Sequence, residues 1–121
     1  MKKTYTYFSD DIPNIPLARL TIEETIFEKS GHIEILDEEN VPILVKLAYN
    51  NQNNIKGVEA LLEERVMPSN RMFFAEFCKQ QGLNPYSIDD RLTLSKGRSL
   101  SDNYYVIREV IKDEWVYSIK Q

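Results

Sequence analysis

Residues 32–66, HIEILDEENVPILVKLAYNNQNNIKGVEALLEERV, contain two different spacings of apolar side chains and so decide the fold class. His32–Asp37 alternates between apolar and polar residues, which is typical of a β-strand with one buried face. From residue 55 the period lengthens to about three and a half residues, which predicts an amphipathic helix over Lys56–Arg65. The apolar positions that trace its buried face are Ile55, Val58, Leu61, Leu62 and Val66. The chain is therefore expected to have an α+β fold.

Two more strands are predicted before this stretch. Lys3–Phe8 is rich in aromatic and β-branched residues, Leu17–Glu23 alternates in part, and the polar, proline-containing segment between them predicts a turn. With His32–Asp37 these strands are expected to form a small antiparallel sheet from the N-terminal third. Val41–Tyr49 leaves two interpretations open, because Pro42 suits the first turn of a short helix and the Ile-Leu-Val run after it equally suits a strand.

Further helices are predicted after residue 66, which gives about three or four short helices packed with the sheet. Pro68–Gln81 is expected to form a helix that ends at Gly82 in a left-handed conformation. A second proline signal predicts a helix over residues 85–94, with Ile88 and Leu92 facing inward. The residues expected to cluster on the earlier helix are Phe73, Phe74, Phe77, Cys78 and Gln81. Tyr104–Arg108 is expected to be a strand or an extended segment.

The composition is that of one globular domain. Of the 121 residues, 42% are hydrophobic and 28% are charged, which suffices for a core without disulfides or metal. Cys78 is the only cysteine, and no secretory signal or apolar run of bilayer length is visible, so we expect a cytoplasmic protein outside the membrane. The expected domain covers residues 1–121, with a β-rich part over 1–49, a helical part over 55–94 and an extended segment over 103–119.

Residues with recognised catalytic spacing are missing from the sequence. The four glycines are too scattered to form a phosphate-binding loop, and one histidine with one cysteine cannot complete a zinc tetrahedron. His32 is expected at a strand surface and Cys78 on an apolar helix face, where burial makes a thiol inert. Acidic doublets such as Asp89-Asp90 are expected to be solvated, because adjacent side chains point to different faces. The sequence thus predicts a protein that is not an enzyme and has neither catalytic residues, nor a metal, nor a cofactor.

Two motifs in the second half of the chain point to a known family. Residues 65–71 are RVMPSNR and residues 97–106 are GRSLSDNYYV, with Gly82-Leu83 between them. Together they resemble the region that precedes the kinase core in HipA-like proteins of low-GC Gram-positive bacteria. The similarity extends over about residues 17–108 and does not include the kinase core. The resemblance implies a non-catalytic protein-binding module, such as a stand-alone modulator or antitoxin-like partner of a HipA-like kinase.

The same motifs supply a candidate partner-binding surface. If the loop after the helices folds back, its two cations join those of residues 65–71 in one basic patch. The motif residues expected to meet a partner are Arg65, Arg71, Lys96, Arg98, Ser99, Asp102, Tyr104 and Tyr105. These residue types also fit a structural junction in which Asp102 caps the segment after it or pairs with Arg71. Both interpretations stay open at this point.

Two other functions are compatible with the sequence. Residues 1–64 carry 12 carboxylates against 6 cations, which suits an anti-CRISPR-like phage or mobile-element inhibitor that fills the cationic groove of a host defence nuclease. Its acidic surface is expected to include Glu23, Glu24, Glu38 and Glu39. A weaker alternative is a helix-turn-helix DNA-binding regulator built from residues 72–94. The second helix of that unit carries Asp89 and Asp90 where base recognition needs cations, which argues against nucleic acid as a partner.

Overall fold

The computed structural model describes residues 1–66, 74–84, 86–99 and 102–109, which form an antiparallel sheet of four strands with four helices. The strands are β1 (Lys2–Ser9), β2 (Ala18–Glu24), β3 (Lys29–Ile35) and β4 (Tyr104–Glu109), in the spatial order β3-β2-β1-β4. This confirms the α+β class and the three N-terminal strands. The segment that was expected to be extended after residue 103 pairs antiparallel with β1 as far as residue 109, and the rest of that prediction lies outside the described residues.

The two faces of the sheet carry different side chains, because successive residues of a strand point to opposite sides. One face carries the large apolar side chains and packs against the helices. Its buried members are Tyr5, Tyr7, Leu20, Ile22, Ile33 and Val106. On the other face Thr4 and Thr6 are also buried, and the Thr6 hydroxyl donates to the Glu109 carboxylate at 2.7 Å. The main core therefore lies between the apolar face of the sheet and the helical layer.

The first two helices lie over β3 and β2. Helix α1 (Ile43–Asn51) resolves the ambiguous segment in favour of a helix, with Pro42 at its N-cap and Val45 fully buried. Helix α2 (Ile55–Arg65) begins at Asn54, whose side chain accepts hydrogen bonds from two backbone N–H groups of the first turn. The predicted inner face of α2 is confirmed, since Val58, Leu61, Leu62 and Val66 are buried.

Helix α3 (Phe74–Gln80) ends as its sequence predicts. Gly82 has a φ of 73°, and the Leu83 N–H folds back to donate to the Cys78 carbonyl at 2.8 Å, which completes a left-handed helix stop. The expected apolar cluster is wrong for Phe77 and Gln81, which are exposed, whereas Cys78 is buried. Phe73 and the side chain of Phe74 lie outside the described residues. The predicted start at Pro68 lies outside the described residues.

Helix α4 (Ile88–Ser95) begins three residues later than predicted. The reason is that the Ser87 hydroxyl caps it by accepting from the Asp90 N–H, whereas the Asn84 side chain accepts from the Tyr86 N–H in a separate turn. Leu92 is buried on the inner face of α4, as predicted. Within the described ranges, none of the helices is long and apolar enough for a membrane span.

The loop after α4 runs close against β4. Gly97 has a φ of 70°, and a Cβ atom there would lie 2.1 Å from the Val106 carbonyl oxygen, so only glycine fits this position. The Val106 N–H donates to the Gly97 carbonyl at 3.1 Å, and Arg98 forms an isolated antiparallel bridge with Tyr105. This close approach brings the two halves of the second motif side by side at the edge of the sheet.

Candidate functional site

The structure divides the predicted site residues into an internal set and an exposed set. Arg65, Asp102 and Tyr104 meet in an ion-paired junction below the surface, whereas Arg98 and Tyr105 lie in an aromatic stack at the surface. Lys96 is exposed in a left-handed conformation at the end of α4, and Ser99 is half-buried. Arg71 lies outside the described residues.

The internal set, which we call the Arg65 junction, consists of Tyr7, Arg65, Asp102 and Tyr104. The Arg65 guanidinium is 2% exposed and donates to both carboxylate oxygens of Asp102, at 2.8 and 2.6 Å. It also donates to the Tyr104 carbonyl at 3.1 Å and lies 5.7 Å from the centre of the Tyr7 ring. Its Nε finds no acceptor among the described residues. Such bidentate, charge-assisted bonds fix the geometry of planar groups.

The junction ties three elements together. Arg65 is the last residue of α2, and its carbonyl accepts a hydrogen bond from the Ser95 hydroxyl at the end of α4. Asp102 precedes β4 and also accepts from the Tyr104 N–H at 3.0 Å. Arg65, Asp102 and Tyr104 thus form a junction between the helices and the last strand, in which the partner that the structure shows for Asp102 is Arg65. A pairing with Arg71 is not needed to satisfy this carboxylate.

Ionisation of the Arg65 junction follows from these contacts. The hydrogen bonds from Arg65 hold the pKa of the Asp102 carboxyl below its ordinary value. Burial alone would lower the pKa of Arg65, but the hydrogen bonds to Asp102 and the nearby negative charges together outweigh burial and raise it. Burial also raises the pKa of Tyr7, which stays neutral beneath the guanidinium. The junction is thus a charged pair over the physiological range of pH.

The exposed set, which we call the Arg98 stack, consists of Phe8, Asp10, Arg98 and Tyr105. The Phe8 and Tyr105 rings stack at 5.6 Å with an interplanar angle of 20°, and the Arg98 guanidinium lies 4.6 Å from the centre of the Tyr105 ring. Asp10 accepts two hydrogen bonds from Arg98, at 2.7 and 3.0 Å. The Arg98 and Asp10 side chains are 44% and 47% exposed. The stack therefore presents aromatic and charged side chains to solvent in positions that their mutual contacts hold fixed.

The expectation of one patch of four cations is wrong. Arg65 is buried inside its junction, and Arg98 is paired with Asp10, so neither adds a free positive charge to the surface. Hydrogen bonding to Arg98 lowers the pKa of the Asp10 carboxyl, which keeps this pair ionised. Sequence spacing could not reveal either pairing, because the partners are 37 and 88 positions apart.

The four glutamates of the predicted acidic surface do not lie together. Glu23 and Glu24 are at the end of β2, whereas Glu38 and Glu39 follow β3 next to the start of β2. The six residue steps of β2 separate the two doublets by about 20 Å. All four are exposed, but they form two small acidic regions at opposite ends of the sheet.

A third cluster, the Asp89 cluster, was missed by sequence reasoning, which placed this carboxylate in solvent. Asp89 accepts hydrogen bonds from the Tyr5 hydroxyl at 2.5 Å and the Lys3 ammonium at 3.1 Å, and Arg108 lies 3.2 Å away. Burial alone would raise the pKa of Asp89, but these donors outweigh it and keep the pKa below its ordinary value. Lys3 and Tyr5 share the helix-facing side of β1, and this alternation was the only sequence signal that could have indicated a buried partner for Asp89. The cluster lines a cleft of about 380 Å³ between the sheet and α4.

The groups most often used in catalysis are separated in this fold. Cys78 is buried as predicted, and His32 is exposed on β3 at the edge of the sheet. Within the described residues, no group of three or more histidine, cysteine, aspartate or glutamate side chains could hold a metal ion.

The helix-turn-helix interpretation gains no support from the position of the charges. The first turn of α4, where a recognition helix would meet the bases, carries Asp89 and Asp90. Arg91 is buried and donates twice to Glu63, at 2.6 and 3.1 Å, so its guanidinium is occupied within the fold. The start of α4 therefore lacks the free cation that DNA recognition needs among its described residues.

Comparisons with protein-family models, with curated proteins and with solved structures gave no match in any of the three cases.

Proposed function

We propose that the chain is a non-catalytic protein-binding module and that its partner is a HipA-like kinase. The observation that supports this proposal most directly is the Arg98 stack, in which a tyrosine and an arginine are held half-exposed on a rigid edge of the sheet. Tyrosine and arginine are the residue types that most often dominate the energetics of protein interfaces.

The chemistry of the stack suits a partner with both a flat apolar group and a carboxylate. A guanidinium has five N–H donors in a planar fork, and Asp10 takes two of them, so donors remain for an incoming acceptor. Tyr105 offers a ring that is already aligned by Phe8 on one side and Arg98 on the other. A partner that packs against the exposed edges of these side chains gains contact area without first ordering them.

The Arg65 junction also supports the proposed binding role, because it holds in place the strand that carries Tyr105. It fixes the residues just before β4 to the end of α2 through a buried bidentate pair, so the strand that carries Tyr105 has little freedom. Pre-ordering of a contact surface reduces the entropy that binding must overcome. The two sets of motif residues thus have complementary roles, one as support and the other as surface.

The identity of the partner rests on the resemblance of the two motifs to the region before the kinase core. A detached copy of that region is expected to bind the kinase, or the kinase's own partner, in the way that a small antitoxin does. Binding should then change the autophosphorylation of the kinase, because a module docked beside the catalytic core restrains its movements.

The test is direct binding of the purified chain to the HipA-like kinase encoded in the same genome. We expect co-elution in size-exclusion chromatography, a dissociation constant in the micromolar range or tighter by calorimetry, and altered autophosphorylation. Arg98→Ala should weaken binding by at least about tenfold. Lys56→Ala is the matched control, since it also removes one exposed cation but lies on α2 beside β3. The proposal fails if the wild-type chain does not bind, or if the two variants bind equally.

A further inference from the structure

The face of the sheet that points away from the helices, which we call the open face, is buried at its centre. Thr4 and Thr21 lie opposite each other there on β1 and β2, and Thr6 is the next residue of β1 on the same face. The three threonines are 6%, 4% and 0% exposed, in that order. Threonines in the middle of a sheet face are buried to this degree when another layer packs on them.

The residues around the first two threonines do not supply this layer. Across the strands the pair is bordered by Glu109 on β4 and His32 on β3, and both side chains are exposed. Toward the start of β1 it is bordered by Lys2 and Glu23, which are exposed as well. Since their polar ends lie in water, these side chains form the rim of the open face and leave its centre to be covered by something else.

Arg19 is an independent sign that the open face is covered. It lies opposite Thr6 on β2, and its Nη1 donates to the exposed carboxylate of Glu34 at 3.4 Å. Its Nε, however, is buried and has no acceptor among the described residues. Buried N–H donors normally have a hydrogen-bond partner, so an oxygen of the covering layer is the expected acceptor.

The described helices lie on the other side of the sheet. α1 and α2 pack on β3 and β2 through the apolar face, and α4 lies beside β1, where Asp89 meets Lys3 and Tyr5. α3 runs into α4, and the Asn84 N–H between them donates to Asp90 at 2.7 Å. The cover of the open face is therefore expected from residues outside the described ranges.

Residues 110–121 start at the open face. They follow Glu109 directly, and the Glu109 carboxylate accepts a hydrogen bond from the Thr6 hydroxyl on that face at 2.7 Å. A segment that leaves the sheet at this point needs only one turn to lie over the threonines.

The other segments outside the described ranges are placed less well. Residues 67–73 join Val66, which is buried on the helical side, to the start of α3 at Phe74. Residue 85 and residues 100–101 are too few to cover a sheet of four strands. Position along the chain thus favours residues 110–121 as the cover.

The sequence of residues 110–121, VIKDEWVYSIKQ, suits this role. Ile111, Trp115 and Ile119 recur every four residues, which places them on one side of a helix. A helix of this length extends about 18 Å, and the four strands span about 14 Å, so it can reach across the sheet. A helix also satisfies its own backbone hydrogen bonds, whereas an extended chain lying on the open face would leave its N–H and C=O groups unpaired.

We infer that residues 110–121 form a helix that docks on the open face and covers the three threonines with Ile111, Trp115 and Ile119. The extended segment that the sequence predicts over 103–119 then ends with β4, and the sheet lies between two helical layers.

The docked helix borders the Arg98 stack, because Phe8 and Tyr105 of the stack lie on the open face as well. The inference does not depend on the proposed kinase, since the chain itself supplies the occupant of the face. It can therefore be tested on the purified chain alone.

The experiment uses the fluorescence of Trp115, which is the only tryptophan of the chain. In the folded wild type we expect emission at shorter wavelength than in concentrated urea, and quenching by acrylamide that is several-fold weaker. Thr21→Lys puts a charge at the centre of the open face and should move both values most of the way to those of the unfolded chain. Ile43→Lys is the matched control, since it adds the same charge at a side chain of α1 that is 73% exposed, and should leave both values unchanged.

A second variant guards against loss of folding. Ile111→Ser/Ile119→Ser changes only residues beyond β4, so it should release Trp115 while the circular dichroism of the sheet is retained. Release in both variants, with the control unchanged, supports the inference.

The other outcomes overturn it. Solvent-like emission in the folded wild type means that the rim side chains alone bury the threonines. Shielded emission that is insensitive to Thr21→Lys but lost in Ile43→Lys means that the segment docks on α1. Shielding that is lost on dilution, together with a dimer in sedimentation, means that the segment covers a second copy of the chain. None of these results bears on kinase binding, so the proposed function stands or fails separately.

Discussion

Two bidentate arginine–aspartate pairs in this chain have nearly the same geometry and very different surroundings, which makes them a controlled test of burial. Arg65 donates to Asp102 at 2.8 and 2.6 Å and is 2% exposed, whereas Arg98 donates to Asp10 at 2.7 and 3.0 Å and is 44% exposed. We predict that Asp102→Ala destabilises the protein strongly and that Asp10→Ala has almost no effect on stability.

The loss of stability expected for Asp102→Ala follows from the unpaired Arg65 guanidinium that the substitution leaves in the protein. Removing one partner of a buried ion pair leaves an uncompensated charge and costs about 3–5 kcal/mol. The Asp102 side chain is itself 27% exposed, so water can enter its place and reduce this cost to about 2–3 kcal/mol. For a domain of this size that corresponds to a fall in melting temperature of roughly 10 °C. In the Asp10→Ala variant the guanidinium stays in water, where its charge is already solvated.

The assay is urea unfolding followed by circular dichroism, with thermal unfolding as a second measurement. The double variant Arg65→Met/Asp102→Ala should recover part of the loss, because an apolar side chain replaces the stranded charge. Equal shifts of the unfolding midpoint for Asp102→Ala and Asp10→Ala would refute the reasoning. A double variant no more stable than Asp102→Ala alone would also contradict it.

Three further predictions concern stability. Gly97→Ala should lower the free energy of unfolding by more than about 3 kcal/mol, because its Cβ would overlap the Val106 carbonyl. Gly82→Ala has a similar φ but lies in open space, so it should cost only about 1 kcal/mol, and equal urea midpoints for the two variants would contradict this. Leu62→Ala should cost about 2–5 kcal/mol by leaving a cavity in the core, and a loss under 1 kcal/mol would place that side chain outside it. Folding lowers the pKa of Asp89, so its ionised carboxylate stabilises the protein above the unfolded pKa of about 3.9, and this stabilisation is lost as the pH falls below that value. An Asp89→Asn variant should therefore show a weaker pH dependence of the free energy of unfolding between pH 5 and 2.

The local elements of the fold could be predicted because their signals are local. Aromatic and β-branched residues identified β1, alternation identified β2 and β3, and the helical period identified α2 together with its buried face. α1 was ambiguous because a short apolar run suits either state, and what decides it is the packing of Val45 and Ala48 against the core. The start of α4 was misplaced because two capping residues, three positions apart, compete for the same role.

The candidate site was predicted only in part, because it depends on contacts between distant residues. The motif spacing drew attention to Arg65, Arg98 and Asp102, but it could not show which carboxylate each arginine would meet. Gly97 lets the loop lie against β4 and so places Arg98 beside Tyr105, a contact that the spacing of the motif does not reveal.

The position of β1 in the middle of the sheet has a consequence during synthesis. β2 follows β1 closely, but β4 is about 95 residues further along the chain, which takes roughly 5–20 s to translate. Throughout that interval one edge of β1 has no strand to pair with, and such an edge can template aggregation. The Arg65 junction also needs Asp102, so the closing steps of folding wait for the same late segment. Productive folding of this protein therefore depends on how well its nascent chain is protected until the last described strand has been made.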